Sequence, residues 1–304
     1  MGTTGRWLAL ALLLLTTERG ARAAPCCMSA TAFGMGRLLI WEDFAVGLRT
    51  SLSPSLGAWD RDGHWSGYDS YDELEWRSEL WGLVGIARRW SVFARVPGVV
   101  IERSTASDSD VGGGIGDLSI GARYEILEIG EYQELPAIAL TLAVAAPTGR
   151  ATDEARTPLG VDVTGRGAWV LSTGLSAEYT RLPWFVRLDL GLSVPLPSER
   201  ADLGVDQWLG PTIDVALGGG IEVAHDVVLS LVPRFTWEAA VVLDGKAVDG
   251  SQRIDFGAAL AASWRFDYHW TVQAGVDSGL FGEGLGRNQT GRVTTTLGLR
   301  YGSF

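Results

Sequence analysis

His64 and Ser66 stand two residues apart in the polar stretch GHWSGYDS, and a histidine near a serine could supply the base and nucleophile of a hydrolase. The chain has only three histidines, and the other two, His225 and His269, are remote in sequence. A serine two residues after a histidine is common by chance in polar loops. No cysteine and histidine cluster has the spacing of a metal site. The sequence therefore predicts neither an enzyme nor a cofactor.

Arginine and carboxylate side chains that alternate with apolar residues are the second chemical feature. In residues 184–194, Arg187 and Asp189 alternate with leucine and valine, which places charged and apolar side chains on opposite faces of a strand. Lys246 is the single lysine among 25 basic residues, and arginine suits bidentate pairing with carboxylates. The charged residues predicted to line an inward face are Arg49, Glu75, Arg77, Glu79, Arg95, Asp117, Arg123, Glu125, Arg187, Asp189, Asp214, Glu222, Arg234, Glu238, Asp255, Arg265, Asp277 and Arg300.

These inward charges support two interpretations. In the first, arginine–carboxylate pairs hold the wall rigid. In the second, they form an eyelet that selects a charged solute. A pore for anions should have a lining dominated by arginine or lysine, whereas here the two signs are mixed. The first interpretation is favoured.

Twelve segments with this alternation must position the charges. Each holds the pattern for about 10–14 residues, longer than the usual soluble strand of about 5–6 and enough for a tilted membrane strand of about 9–11. The segments are 41–52, 71–87, 90–103, 115–127, 135–147, 166–180, 183–196, 209–224, 226–240, 252–265, 269–281 and 292–303.

The connections alternate between short turns and long polar loops, which is the arrangement of outer-membrane barrels. Closure also removes the edges that such long strands would expose. The fold class predicted is all-β, a closed antiparallel transmembrane β-barrel of about twelve strands with short periplasmic turns and long extracellular loops. Aromatic residues near strand ends on the apolar face predict interface girdles: Tyr124, Trp169, Tyr179, Trp184, Trp237, Trp264, Trp270 and Tyr301.

The last segment ends the chain on Phe304, as bacterial outer-membrane proteins end on an aromatic residue. The usual ending has a second aromatic two residues earlier, where this chain has Gly302. The match predicts that the barrel-assembly machinery recognises the C-terminal strand.

The N-terminus has the layout of a secretory signal peptide. Arg6 precedes an apolar run, and Ala21-Arg22-Ala23 forms a cleavage site. The predicted division is a signal peptide at 1–23, a periplasmic segment at 24–40 and a barrel at 41–304. Cleavage removes three arginines and one glutamate, so the formal charge moves from −11 to −13, which argues against nucleic acid as a partner.

Residues 112–127 read GGGIGDLSIGARYEIL. The pattern of Gly114, Gly116 and Asp117 followed by Gly121, Arg123 and Tyr124 resembles a strand in an outer-membrane transporter family named after the meta-pathway of phenol degradation. The resemblance implies a transporter-like barrel for small, often hydrophobic or aromatic compounds. Residues 112–116 are also expected to adopt positive φ or to allow close backbone approach.

The leading hypothesis is an outer-membrane barrel that passes small molecules, with membrane lipid, lipopolysaccharide and a small solute as its partners. The alternative is a structural or surface-recognition barrel without a pore, in which an inserted segment such as 25–39 could act as a plug. An outer-membrane lipid hydrolase is a remote alternative, because His64 lacks the residue order of that enzyme family.

Overall fold

The computed structural model describes residues 37–39, 41–68, 71–132, 134–200 and 204–303. The predicted signal peptide, Cys26, Cys27 and Phe304 lie outside the described residues. The division into signal, periplasmic segment and barrel therefore stays a prediction.

Alternation of apolar and polar residues folds the chain into twelve long antiparallel strands. Each pairs with its neighbours in sequence, and the last pairs with the first, so the sheet closes. The strands are β1 Phe44–Trp59, β2 Tyr71–Ala87, β3 Trp90–Thr105, β4 Leu118–Leu127, β5 Ala137–Ala146, β6 Val170–Arg181, β7 Trp184–Pro195, β8 Thr212–Ala224, β9 Val227–Glu238, β10 Arg253–Arg265, β11 Trp270–Gly279 and β12 Gln289–Ser303. The predicted fold class, a closed twelve-stranded antiparallel β-barrel of the transmembrane type, is confirmed.

The two ends of the barrel differ in their connections, as the sequence predicts. Short turns follow the even-numbered strands and define the short-turn end, while longer segments follow the odd-numbered strands and define the long-loop end. The short strands Trp65–Gly67, Ser109–Ile115 and Gly286–Arg287 extend the wall, and Ser198–Arg200, Val205–Trp208, Val242–Leu243 and Lys246–Ala247 form a separate four-stranded sheet. A 3-10 helix spans Thr152–Glu154. Among the described residues, no helix has the length and apolar character needed to cross a membrane.

The largest errors in the predicted strand limits lie at two places at the long-loop end. The sequence interpretation ended the first strand before Pro54, but β1 continues to Trp59, and Pro54 stays in register with Leu74 of β2. The segment Ser109–Ile115, predicted as loop up to residue 114, pairs with β3. Polar residues in both segments face inward. The alternation therefore continues past the proline and glycine residues at which the sequence interpretation placed loops.

Large apolar side chains cover the outer face of the barrel. Leu48, Leu80, Leu260 and Leu297 are each more than half exposed to the surroundings, Leu260 by 63%. A closed sheet that turns this much apolar surface outward is stable in lipid and not in water. The alternation of the sequence is thus resolved into a lipid-facing exterior and a polar interior.

Aromatic pairs lie on this outer face near the short-turn end. Trp90 and Tyr124 have ring centroids 4.7 Å apart, and Trp270 and Tyr301 have centroids 5.0 Å apart. Amphipathic rings at this level suit the boundary between hydrocarbon and headgroups.

Other aromatic side chains lie flat on the inner face, each over a glycine of a neighbouring strand. The pairs are Trp81 over Gly47, Phe93 over Gly121 and Phe185 over Gly220. All three rings are buried. The glycines are needed because a ring can cross the wall closely only where the neighbouring residue has no side chain.

Replacing Gly47 by alanine is expected to destabilise the barrel by about 1–3 kcal/mol, because the new methyl group overpacks the wall. A Cβ at this position would lie 2.5 Å from Trp81 Cε2 and 2.9 Å from the Leu299 carbonyl oxygen. The measurement is the free energy of unfolding in urea, with the folded fraction read from heat-modifiable migration on gels. Gly82→Ala is the matched control, since its Cβ would meet nothing closer than 3.8 Å. Equal stabilities of the two variants would contradict the account of the ring–glycine contacts.

Candidate functional site: the barrel lumen

The inner wall of β1 to β4 carries one group of predicted residues at mid-height. Arg49 donates from Nη2 to Glu79 Oε1 at 2.8 Å. Arg95 donates from Nε to the Ser119 hydroxyl at 2.9 Å. It also lies within range of electrostatic interaction with Glu79 and Arg49. Two guanidinium groups therefore stand near one carboxylate, and only Arg49 is bound to it.

A second group on β9 to β12 has the opposite balance. Arg234 binds Asp277 in a bidentate manner, with Nε–Oδ2 and Nη2–Oδ1 distances of 2.9 and 2.8 Å, and its Nη1 donates to Asp255. Asp255 also accepts from Gln289 Nε2 at 2.9 Å. Here two carboxylates share one guanidinium.

Neighbouring inward residues of single strands also pair. Arg187 binds both oxygens of Asp189 at 2.7 Å, and Arg123 donates from Nε to Glu125 Oε1 at 2.6 Å. The bidentate Arg187–Asp189 pair holds both planar groups in one orientation, whereas Arg123 contacts one oxygen of Glu125. The geometry is what the rigid-wall interpretation requires.

The remaining predicted residues lie nearer the ends of the lumen. Arg77 pairs with Glu75 at 3.0 Å, and Asp214 accepts from the Thr236 hydroxyl at 2.7 Å. Asp226 accepts from Arg265 at 2.5 Å, and its N–H donates to Glu222 at 3.4 Å. Glu238 lies 3.6 Å from Arg166. Contact of any of these residues with a solute stays a prediction.

A charged cluster at the long-loop end was missed in the sequence interpretation. Glu73 accepts from Arg103 Nε at 2.6 Å and also from Arg292, whose Nη1 donates to Glu75 at 2.8 Å. Arg103 and Arg292 stood at the outermost positions of their predicted strands. Glu73 follows the same inward alternation as Glu75, so continuing the pattern by one step would have found it.

The loop between β5 and β6, residues 147–169, turns into the lumen. Val161 is 0% exposed and packs against Val99 and Ile101 on the inner face of β3. A Cβ on Gly112 would lie 2.8 Å from Val161 Cγ2. The absence of a side chain at Gly112 therefore leaves room for the loop beside the wall. The expectation of close backbone approach in residues 112–116 holds, and their φ values are not positive. The loop therefore occupies part of the lumen cross-section.

Polar contacts fasten this loop to the wall. Arg103 Nη1 donates to the Leu159 carbonyl at 2.6 Å. Asp117 accepts from the backbone N–H of Gly149 at 3.0 Å and of Arg166 at 2.8 Å. Asp117, predicted to face the lumen, thus holds both ends of the inserted loop.

Asp162 organises the inside of the loop. It accepts from Arg150 Nη1 at 2.5 Å, from the Arg156 N–H at 2.9 Å and from the Thr157 hydroxyl at 2.9 Å. Burial raises the pKa of this carboxyl, but the hydrogen bonds from Arg156, Thr157 and Arg150 lower it by more, so the pKa lies well below its ordinary value. The carboxylate stays ionised and holds the loop in shape.

At the short-turn end, the segment before β1 enters the barrel. Arg37 donates to Glu178 of β6 at 3.1 Å, and both side chains are buried. Glu42 accepts from Arg300 Nη1 at 2.7 Å and from the Leu39 N–H at 2.9 Å. A cavity of about 960 Å³ lies beside this segment. Residues 37–39 belong to the stretch considered as a plug, and the remainder of that stretch lies outside the described residues.

Comparison of the whole chain with known proteins concerns its fold. No protein-family model matches the sequence, and no curated protein matches it either. Among solved structures, an outer membrane channel from Pseudomonas putida F1 matches with a TM-score of 0.71 and 16% identity, over 88% of this chain and 97% of that one. The chain has the fold of an outer-membrane barrel. The transport unit of the autotransporter AIDA-I from Escherichia coli matches with a TM-score of 0.50 and 10% identity, over 93% and 100% of the two chains.

The histidines of this outer-membrane barrel fold occupy its two ends. His64 lies in an exposed turn 3.4 Å from Asp60, whose pKa is lowered by a hydrogen bond from the His64 backbone N–H. The Ser66 hydroxyl donates to the Ala58 carbonyl at 3.4 Å. His269 Nδ1 lies 2.8 Å from the Gly302 carbonyl oxygen. These contacts organise the ends of the barrel.

Proposed function

We propose that the barrel lets small molecules cross the bacterial outer membrane. The observation that carries the proposal is the separation of surfaces, apolar outside and lined by paired charges inside, in a closed twelve-stranded barrel. By the usual arrangement of such barrels, the short-turn end faces the periplasm and the long-loop end faces outward. Lipid and lipopolysaccharide would contact the exterior, and β12 would engage the assembly machinery.

The solutes should be small because the lumen is narrowed at both ends. Twelve strands give a barrel between filled eight-stranded ones and open 16–18-stranded porins. The loop carrying Val161 occupies one part of the lumen, and the segment carrying Arg37 occupies another. Aromatic or hydrophobic solutes are the finer expectation, which rests on the family-like strand at 112–127 alone.

A surface-recognition function is the second candidate. A four-stranded sheet lies at the long-loop end, separate from the barrel wall, and consists of Ser198–Arg200, Val205–Trp208, Val242–Leu243 and Lys246–Ala247. A sheet there could present a fixed surface to a partner. This function needs no path through the lumen, and that difference separates the two candidates.

Liposome swelling tests the proposal. Liposomes containing the refolded protein are expected to swell in monosaccharides and slowly or not at all in tetrasaccharides, because the lumen is narrowed. Liposomes without protein are the control, and heat-modifiable migration establishes that the barrel has folded. A folded barrel that admits none of the solutes would contradict passage and leave the surface-recognition function.

A further inference from the structure

A cavity of about 190 Å³ lies at mid-height on the inner wall formed by β9 to β12 and β1. Arg49 of β1 and Gln273 of β11 both line it, and each is in register with Gly298 of β12, which stands between them. Adjacent strands are about 4.8 Å apart, so the two backbones are separated by roughly 10 Å. The side chain of Gln273 lies over this glycine, since a Cβ on Gly298 would stand 3.2 Å from Gln273 Oε1. The cavity that Arg49 and Gln273 line beside it is called the slot.

Both long side chains have hydrogen-bonding capacity left over. Arg49 uses Nη2 for Glu79, and its side chain is about one-third exposed. The Nε2 donor of Gln273 is buried and has no hydrogen-bond partner among the described residues. A buried donor without an acceptor costs free energy that a suitable ligand would recover. The slot therefore offers donors to an acceptor group.

The hydrogen-bond donors around the slot favour an anion. Arg49 is bound to Glu79, and Arg95 on the same wall donates to the neutral Ser119 hydroxyl, so two guanidinium groups stand there beside one carboxylate. Asp277 also lines the cavity, but Arg234 occupies both of its oxygens. Arg49 uses only Nη2 for Glu79, so its other guanidinium nitrogens can donate to a ligand, whereas both oxygens of Asp277 are occupied.

The rest of the cavity is lined by small residues. Ala259, Ala261 and Gly275 give it a wall without long side chains. A cavity of about 150 Å³ is large enough to hold benzene in another protein, so this one has room for a ring of that size with a small substituent.

We propose that this slot binds small organic monocarboxylates of about the size of benzoate, with the carboxylate between Arg49 and Gln273 and the apolar part against the alanine and glycine wall. The site deepens the proposed passage function by naming a solute class for the same lumen. It assigns to Arg49 a role in selectivity in addition to its pairing with Glu79.

Binding of benzoate and its neutral analogue benzamide to the full barrel in detergent micelles tests the site by calorimetry. The protein is expected to prefer benzoate by roughly tenfold, as a charge-assisted contact would give. Arg49→Gln should abolish this preference without weakening benzamide binding. Gly298→Val should weaken both ligands, because its side chain would displace the Gln273 amide that lies over this position.

Arg77→Gln is the matched control, since Arg77 pairs with Glu75 on the inner wall outside the cavity, and it should keep the preference. Equal binding of the two ligands to the original protein, or an unchanged preference in folded Arg49→Gln, would overturn the site. Binding does not require passage. Benzoate preference in a barrel that fails the swelling test would therefore support the site and contradict passage, and the reverse result would contradict the site alone.

Discussion

Replacing Asp162 by alanine is expected to raise the single-channel conductance of the barrel by about twofold or more, because the inserted loop narrows the lumen. Asp162 accepts hydrogen bonds from Arg150, Arg156 and Thr157. Without these contacts the loop loses the shape that seats Val161 on the wall. The measurement is conductance in planar bilayers.

Glu154→Ala is the control for this variant, since Glu154 is exposed in the same loop. Its conductance should equal that of the original protein. An unchanged conductance in folded Asp162→Ala would show that the loop does not limit the lumen.

The same carboxylate predicts the response of the loop to pH. Its pKa is lower in the folded loop than in the unfolded chain, so its stabilising contribution is present above the unfolded value of about 3.9. That contribution is lost only as pH falls through the lower folded value. Conductance set by this loop should therefore stay constant from neutral pH down to about pH 4.

Replacing Arg300 by leucine is expected to destabilise the protein by about 3–5 kcal/mol, because it leaves a buried carboxylate unpaired. Glu42, whose side chain is only 2% exposed, receives hydrogen bonds from both terminal nitrogens of Arg300. The free energy of unfolding in urea measures the loss. The double variant Arg300→Leu with Glu42→Leu should recover most of it, since removing both charges leaves no unpaired group.

A small effect of the single variant would contradict the view that this pair holds the N-terminal segment in the barrel. A double variant as unstable as the single one would also contradict it, because packing and not the unpaired charge would then explain the loss.

The barrel itself could be predicted from the sequence because its main signal is local. In β7 and β10 the alternation of apolar and polar residues is nearly unbroken, and each residue reports its face through its immediate neighbours. The long and short connections then fix the topology. The twelve strands are all present, with errors confined to ends such as the one at Pro54.

The inside of the lumen was less predictable because its contacts join residues distant in sequence. Nothing near Val161 indicates that it packs on Val99 and Ile101. In the sequence alone, an aromatic residue that faces inward, such as Trp81 over Gly47, cannot be distinguished from one that faces outward unless the strand register is known. The sequence interpretation therefore missed the rings, the inserted loop and the charged cluster of Glu73, Arg103 and Arg292.

Gly302 illustrates the same limit. By sequence it departs from the aromatic ending of outer-membrane proteins, two residues before the C-terminus. In the structure the carboxylate of Glu42 lies where a side chain at this position would be, and Arg300 lies beside it. The buried ion pair therefore explains why this position has no side chain.

Single-channel recording of the refolded barrel in planar bilayers tests the central claim most directly. The claim that an aqueous path runs through the charged lumen predicts steady conductance steps, larger in the Asp162→Ala variant than in the original protein. A barrel that is folded by heat-modifiable migration but gives no steps, in the original protein or in this variant, would contradict it.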